Sequence, residues 1–413
     1  MNKKTIDQLD LKGKKVIIRV DFNVPIKDGK ITSNKRIVAA IPTINKAVNE
    51  GAKVILLSHL GRIKEESDKK SKTLKPVAAE LSKLINKPVK FIPASSGQEV
   101  KDAVKELKDG QIIMLENTRW EDLNDKAESK NDQRLGKFWA SLADVFINDA
   151  FGTAHRSHAS NVGIAANVAE SAIGYLVQKE VEMISRAIDN PTRPAVAIIG
   201  GAKVSDKIKT IKHLIDKVDK VIIGGGMAFT FWKAQGFEIG DSLVEDDQIE
   251  LAREYLKKYQ DKIVLPIDAA LSKTFSNTTP IFDTVNSLEI PEGLMGLDIG
   301  NKSIKLFMQA LEGAKTVIWN GPLGVTEFSN YQKGTEAIAK AIGALKDAYT
   351  IVGGGDSVAA IQKLKLESRF SHISTGGGAC LAMLEGSVLP GIAAIQNEAE
   401  TPRKKVATGN TTN

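Results

Sequence analysis

Residues 195–218, AVAIIGGAKVSDKIKTIKHLIDKV, decide how the rest of the chain is read. Positions 195–199 form a short β-branched apolar run suited to a strand buried on both faces, as in a parallel sheet covered by helices. Gly200 and Gly201 break the run, and Ile208, Ile211, Leu214, Ile215 and Val218 then recur at helical spacing. The unit therefore reads as strand, glycine turn and amphipathic helix. Lys203 and Lys207 lie at the turn. Glycines there let backbone N–H groups approach a ligand, and a helix N-terminus presents unpaired donors with a partial positive charge, which suits phosphate. A single such unit also serves as a plain strand-to-helix connection.

Repetition gives the unit its meaning. Residues 221–223 lead into Gly224, Gly225 and Gly226, and 316–319 lead into Asn320, Gly321 and Gly324. Ile351 and Val352 run into Gly353, Gly354, Gly355, Asp356 and Ser357, and 372–374 run into Thr375, Gly376, Gly377 and Gly378. In an open parallel sheet the carboxyl ends of strands share one edge, where ligands bind near a topological switch point, so these loops can converge on a nucleotide. No G-x-x-x-x-G-K-[ST] loop occurs, and no G-x-G-x-x-G follows a strand with the expected acidic residue. Neither a Walker-type nor a dinucleotide-binding fold is supported.

The first half alternates strands and helices too, with arginine in place of glycine as the theme. The apolar run 16–20 ends in Asp21, Phe22 and Asn23, and 54–57 ends in Ser58, His59, Leu60, Gly61 and Arg62. Residues 112–115 lead to Arg119, and 145–147 lead to FGTAHRSHAS at 151–160, which contains Arg156. Arg36 opens the helical run 37–48. On a parallel sheet these arginines face one cleft, and their planar forks of donors match phosphate or carboxylate, so the substrate expected is small and highly anionic. His59, His155 and His158 share these loops; no His/Asp/Glu trio has the spacing of a closed metal site, and hydrogen bonding to the same anion is expected of them.

The 413 residues exceed one compact core of usual size, so two domains are expected. The 57 Lys and Arg against 50 Asp and Glu leave a net charge of +7, which favours anionic partners. Aromatic residues are only 5% of the chain and are not interleaved with basic runs, which argues against nucleic acid. The single cysteine, Cys380, excludes an intramolecular disulfide framework and fits a reducing compartment. MNKKTIDQLD at the start lacks an apolar segment, and no run approaches a membrane span, so a cytoplasmic protein is expected. In the joint between the halves, Val177, Val181, Ile184 and Ile188 recur in helical fashion before Pro191 and Pro194, which predicts a connecting helix able to act as a hinge for closing lobes. The reading is α/β: two domains, each a Rossmann-like three-layer parallel sheet flanked by helices. It divides the chain into 1–170, a hinge at 171–194, 195–395, and a polar tail at 396–413 expected to be disordered. Residues 263–267 read as a further strand, and the alternation within 270–300, seen in PIFDTV at 280–285, suggests edge strands with turns at Pro291 to Gly293.

Taken together, DFNVP at 21–25, SHLGR at 58–62, NDAFGTAHRSHAS at 148–160, GGAKVSDKI at 200–208, WNGP at 319–322, GGGDS at 353–357 and STGGG at 374–378 closely resemble the phosphoglycerate kinase family, in its order and over nearly the whole chain. The resemblance implies ATP and 3-phosphoglycerate on one side of the reaction, ADP and 1,3-bisphosphoglycerate on the other, with magnesium. It implies a phosphoglycerate site of Asp21, Asn23, Arg36, His59, Arg62, Arg119 and Arg156 in the first domain. On the nucleotide side it implies Gly201, Lys203, Lys207, Gly225, Gly296, Asn320, Glu327, Gly353, Gly354, Gly355, Asp356 and Ser357. Asp356 is the expected magnesium ligand, since a hard cation bound to phosphates prefers carboxylate oxygen. Arg36, Lys203 and Lys207 are the expected catalytic residues, acting by positioning and charge neutralisation without a general base. The protein is expected to work as a monomer without nucleic-acid or membrane partners. Departures from the family pattern stand at Ile63, Lys64 and Glu65, at Thr326, and at Cys380 and Ala382. From the residues alone, a kinase for another small carboxylate and a non-catalytic two-lobed anion-binding protein remain open.

Overall fold

The computed structural model describes residues 1–282 and 289–405. The chain divides into two compact units, Met1–Glu182 with Val388–Asn413, and Met183–Ser387.

The first unit is built on six parallel strands: β1 (Lys15–Arg19), β2 (Lys53–Leu57), β3 (Val89–Ile92), β4 (Ile112–Leu115), β5 (Val145–Asn148) and β6 (Glu170–Ile173), in the order β3-β4-β2-β1-β5-β6. Side chains alternate across a strand. Val16, Ile18, Val54 and Leu56 accordingly share one core with Ile37 and Ile44 of the helix Lys35–Asn49 and Val77 and Leu81 of the helix Lys75–Ile85. Ile17, Ile55 and Ile113 are buried as well, on the opposite face. Burial on both faces is why these strands are continuous apolar runs rather than alternating ones. Arg19 interrupts the pattern, a fully buried charge at the end of β1.

The second unit repeats the plan with β7 (Ala195–Ile199), β8 (Lys220–Ile223), β9 (Ile263–Val264), β10 (Thr316–Asn320), β11 (Tyr349–Gly353) and β12 (His372–Ile373), ordered β9-β8-β7-β10-β11-β12. This is the doubly wound order whose switch point falls between the two strands at the centre, here β7 and β10. Trp319 of β10 is fully buried and its indole N–H donates to the Gly321 carbonyl at 2.8 Å, so the largest side chain in the strand also ties down the turn that follows it. A separate antiparallel sheet places Ala269–Ser272 between Ile281–Phe282 and Met295–Ile299.

Several element boundaries differ from the sequence expectation. The strand expected at 263–267 stops at Val264, because Pro266 has no N–H to continue a ladder. Of the edge-strand reading at 280–285, Ile281 and Phe282 pair with Leu271 and Ala270, while 283–285 lie outside the described residues. The hinge expected at 171–194 starts inside β6, whose residues pair with β5, and its helix is Tyr175–Asp189. That helix carries the chain from the first unit into the second. The boundary expected at 395 falls at Ser387 instead, and the chain from Val388 belongs to the first unit. There the Lys4 N–H donates to the Gln396 carbonyl at 3.0 Å and the Glu398 N–H to the Asn2 carbonyl at 2.8 Å. The tail expected at 396–413 stays anchored as far as Arg403, whose N–H donates to the Ala169 carbonyl at 2.9 Å, and Lys405, paired with Asp144 at 2.6 Å. Residues 406–413 lie outside the described residues. Among the described residues no helix is long and apolar enough to cross a membrane.

Candidate functional site

In the first unit, the turns that follow β1, β2 and β4 interlock through side chains. Asp21 accepts from the Arg36 guanidinium at 3.2 Å and from the Asn23 N–H at 3.1 Å, and Arg36 also donates to the Asn23 carbonyl at 3.1 Å. Asn23 reaches onward, its Oδ1 accepting from the Gly61 N–H at 2.8 Å, and the Gly61 carbonyl accepts from the Arg119 guanidinium at 2.6 Å. Asn117 organises the turn around Arg119. Its Oδ1 accepts from the Leu60 and Arg119 N–H groups, both at 3.0 Å, and its Nδ2 donates to the Leu60 carbonyl at 2.7 Å. These bonds bind three strand ends into one scaffold before any ligand is considered, as a pre-organised site requires.

A cavity of about 770 Å³ opens beside this scaffold, lined by Arg62, Arg119, Arg156, His155, His158 and Lys64 among others. Arg62 and Arg156 are exposed within it, whereas Arg119 is buried. Its electrostatics are those of crowded like charges. Burial, then Arg156 and Arg19, lower the pKa of Arg119. Burial pushes His158 down to about 3, with Arg19, Arg119 and Arg156 adding to the effect. Burial and the cations Arg19, Arg119 and Arg36 hold His59 well below the ordinary histidine range. Both histidines are therefore neutral near pH 7 and serve as hydrogen-bonding groups, while the arginines supply charge. Such a cluster complements a small polyanion.

In the second unit, the switch point between β7 and β10 is packed too closely for side chains. A Cβ on Gly200 would fall 2.1 Å from the Pro322 carbonyl oxygen, and Gly225, at φ +77°, would carry one 2.4 Å from the Gly201 oxygen. Lys207, on the helix Val204–Leu214, donates to the Asn320 Oδ1 at the end of β10. Burial lowers its pKa, opposed by Asp206, Glu385, Cys380 and Asp356. The Ser357 hydroxyl accepts from the Gly321 N–H at 3.0 Å and so pins the helix Gly355–Lys363 to the same turn. A cavity of about 610 Å³ lies here, with Lys207, Asp241, Asp268, Asp298, Glu327 and Asp356 among its polar lining, backbone at Gly201 and Gly225, and Leu243, Phe275, Leu323 and Val325 among its apolar walls. Gly296 completes a wall of it, since a Cβ there would strike Phe229 at 2.1 Å.

Of the residues expected on the nucleotide side, Gly201, Lys207, Gly225, Gly296, Glu327 and Asp356 line this cavity. Asn320 stands behind it through Lys207, and Ser357 through Gly321. Gly353 ends β11, Gly354 and Gly355 begin the helix that carries Asp356, and Lys203 is an exposed residue at the N-terminus of the helix Val204–Leu214; none of these four lines the cavity. Of those expected on the anion side, Arg62, Arg119 and Arg156 line the first cavity, while Asp21, Asn23, Arg36 and His59 belong to the adjoining scaffold. Asp356 is exposed and its carboxylate accepts no hydrogen bond among the described residues, so it is free to meet a hard cation carried by phosphates. Among the described residues no group of three or more His, Cys, Asp or Glu is gathered as a metal site.

Arg19, Asn117, Asp298 and the apolar walls were not among the expected residues. A signal for Arg19 existed, because a charge within the run VIIRV at 16–20 is misplaced in a doubly buried strand unless it has partners. Asp298 lines the second cavity while accepting from the Gly334 N–H at 2.9 Å and the Ile299 N–H at 2.8 Å, and burial raises it to about 7.

A family model described as phosphoglycerate kinase matches residues 6–387. The chain is 58% identical over 398 residues to a phosphoglycerate kinase of Enterococcus faecalis and 59% identical over 398 residues to one of Listeria innocua, in each case covering 96% of this chain and 100% of the relative. Among solved structures, phosphoglycerate kinase from Coxiella burnetii matches with a TM-score of 0.84 at 41% identity, covering 95% of this chain and 98% of that one. The enzyme from Pyrococcus horikoshii OT3 matches with a TM-score of 0.79 at 32% identity and the same coverages.

Proposed function

The chain belongs to the phosphoglycerate kinase family, and from that premise we propose that it transfers a phosphoryl group reversibly between ATP and the carboxylate of 3-phosphoglycerate, yielding ADP and 1,3-bisphosphoglycerate. The observation that carries this reading is the pairing, in one chain, of an arginine-rich anion cluster at the strand ends of one sheet with a glycine-lined cavity bearing Lys207 and Asp356 at the switch point of the other.

Arg62, Arg119 and Arg156 hold the phosphate of the substrate, and Asp21, Asn23 and His59 orient its carbon skeleton. The apolar walls take the base, Glu327 accepts from the ribose hydroxyls, and Lys203 and Lys207 meet the nucleotide phosphates with backbone N–H groups of the glycine turns. Asp356 would hold a magnesium ion, which would supply neutralisation of charge on the phosphates. The acceptor is a carboxylate, already ionised near pH 7, so no general base is required. Arg36 and the two lysines stabilise charge on the moving phosphoryl group during direct in-line transfer, and closure of the units through the helix Tyr175–Asp189 excludes water. We assign the protein to the cytoplasm, a reading supported by its single, buried cysteine, and take it to work as a monomer.

The test is ATP-dependent phosphorylation of 3-phosphoglycerate by the purified chain, coupled to removal of the acyl phosphate. Turnover with 3-phosphoglycerate and none with other small carboxylates is expected; no turnover with it would sink the assignment.

A further inference from the structure

We propose that Arg19 is a positioning residue that locks His59 as the Nε2–H tautomer, so that His59 meets the anionic substrate as a neutral hydrogen-bond donor. The substrate in this statement rests on the function proposed above; the tautomer rests on geometry alone.

Arg19 ends β1 and is fully buried. Its guanidinium is used on every side: Nε donates to the Ser160 hydroxyl at 2.9 Å, Nη1 donates to the Val20 carbonyl, and Nη2 lies 3.0 Å from His59 Nδ1. A guanidinium has five N–H donors and no acceptor, so His59 Nδ1 must be the acceptor in that contact. A neutral imidazole whose Nδ1 accepts carries its proton on Nε2, and an imidazolium, with both nitrogens protonated, is incompatible with the bond. Among the described residues His59 Nε2 makes no hydrogen bond, so its N–H is not spent within the protein.

The surroundings favour the same state. The charged and titratable groups acting on the ring are Arg19 from β1, Arg36 from the helix Lys35–Asn49, Arg119 from the turn after β4 and His158 from the segment after β5. All three arginines oppose a further positive charge, and burial of the ring, which is 4% exposed, opposes it too. Arg19 in turn is balanced at longer range by Glu128 and Asp21; Glu128 accepts from the Ser160 N–H at 2.8 Å, which fixes the serine that Arg19 holds. The sign of the substrate contact depends on this arrangement. The opposite tautomer would present an Nε2 lone pair to an anionic oxygen, and a donor would become a repulsive acceptor.

The experiment is nitrogen-15 NMR of the full chain labelled at histidine, with the His59 signals assigned by their loss in His59→Gln, together with steady-state kinetics. In the parent, His59 is expected as the neutral Nε2–H form throughout about pH 6 to 8, without titrating. Arg19→Met keeps the volume and removes the donor. In it burial, Arg36 and Arg119 still keep the ring neutral in that window, but with nothing donating to Nδ1 the two tautomers should be mixed, and KM for 3-phosphoglycerate should rise about tenfold or more while kcat changes less. Arg19→Lys keeps one donor and should restore both the spectrum and most of the affinity. An Nδ1–H or imidazolium ring in the parent overturns the proposal whether or not the methionine variant folds. So does a folded Arg19→Met with parental spectrum and KM, or a lysine variant as impaired as the methionine one. Absence of turnover in the parent would overturn the assigned reaction and leave the tautomer measurement to decide the Arg19–His59 pair.

Discussion

Arg36 and Asp356 belong to different units and are expected to fail in different ways. Arg36 is tied to Asp21 and the Asn23 carbonyl, so its guanidinium is already aimed, and an arginine placed on a transferring phosphoryl group can be worth ~10³ to 10⁵ in rate. Arg36→Ala should therefore lower kcat far more than it raises KM. Alanine at Arg62, Arg119 or Arg156 removes contacts made equally in ground and transition states and should appear mainly in KM. Steady-state kinetics of the four variants checks this, and a kcat for Arg36→Ala within a few-fold of the parent would remove its catalytic role. Asp356→Ala should weaken magnesium-nucleotide binding while leaving phosphoglycerate binding intact; calorimetry with each ligand alone decides, and equal loss of both affinities would contradict two separate sites. At this scale the sequence was legible wherever a side chain follows a strand, because topology alone sends such residues to one edge. It was less legible for Arg19, which lies inside an apolar run and whose function depends on partners at His59 and Ser160, 40 and 141 positions away.

The helix Tyr175–Asp189 starts on a cap borrowed from distant residues. The Tyr175 N–H donates to the Thr43 hydroxyl oxygen at 3.0 Å, and Asp149 Oδ1 accepts from the Leu176 N–H at 2.9 Å and the Val177 N–H at 3.4 Å. The helical periodicity of 177–188 predicts the helix, but Gly174 rather than a Ser, Thr, Asp or Asn stands at the cap position, while Ser171 lies inside β6, which is why the start was expected too early. The anchored stretch before Lys405 escaped for a related reason: it is held by hydrogen bonds to carbonyls, which leave no apolar period. Burial raises Asp149 to about 7 despite the N–H groups it accepts from. The folded chain thus keeps a proton that the unfolded chain releases near the ordinary aspartate value, so this group makes stability fall as pH rises from about 4 to 7, by at most about 1.4 kcal/mol per pH unit, and adds nothing further above that window. Asp149→Asn, which keeps the acceptor, should flatten that slope in the first unit. Hydrogen exchange of the β1 and β5 amides at pH 5 and 7 measures it, and an unchanged slope would mean that Asp149 is already ionised at pH 5. Asp298, raised to about 7 in the second unit, has the same sign there, so the readout must be confined to the first.

Taken whole, the molecule carries two six-stranded parallel sheets, each with its own cavity at the carboxyl ends of its strands, and the residues that line them are the ground for the proposed division of labour. The sequence conveyed that division because glycine turns and arginine turns are chemically distinct signals repeated at topologically equivalent places. For 270–300 it conveyed edge strands but not their bounds, because the antiparallel strands Ala269–Ser272 and Met295–Ile299 are short and lie outside that repeat. If each ligand binds one unit, each should stabilise that unit alone, since a ligand binding only the folded state adds RT ln(1 + [L]/Kd), about 2.7 kcal/mol at a hundredfold excess over Kd. Hydrogen exchange should then show 3-phosphoglycerate slowing β1, β2 and β5 while sparing β7 and β10, and magnesium-ADP doing the converse. Equal protection of both sheets by either ligand alone would contradict the assignment of ligands to units. The pair of ligands tests closure separately: if the units close over their ligands through Tyr175–Asp189, the amides of that helix should be protected by both ligands together beyond the sum of their separate effects, and strict additivity there would leave two independent binding units and no closing step.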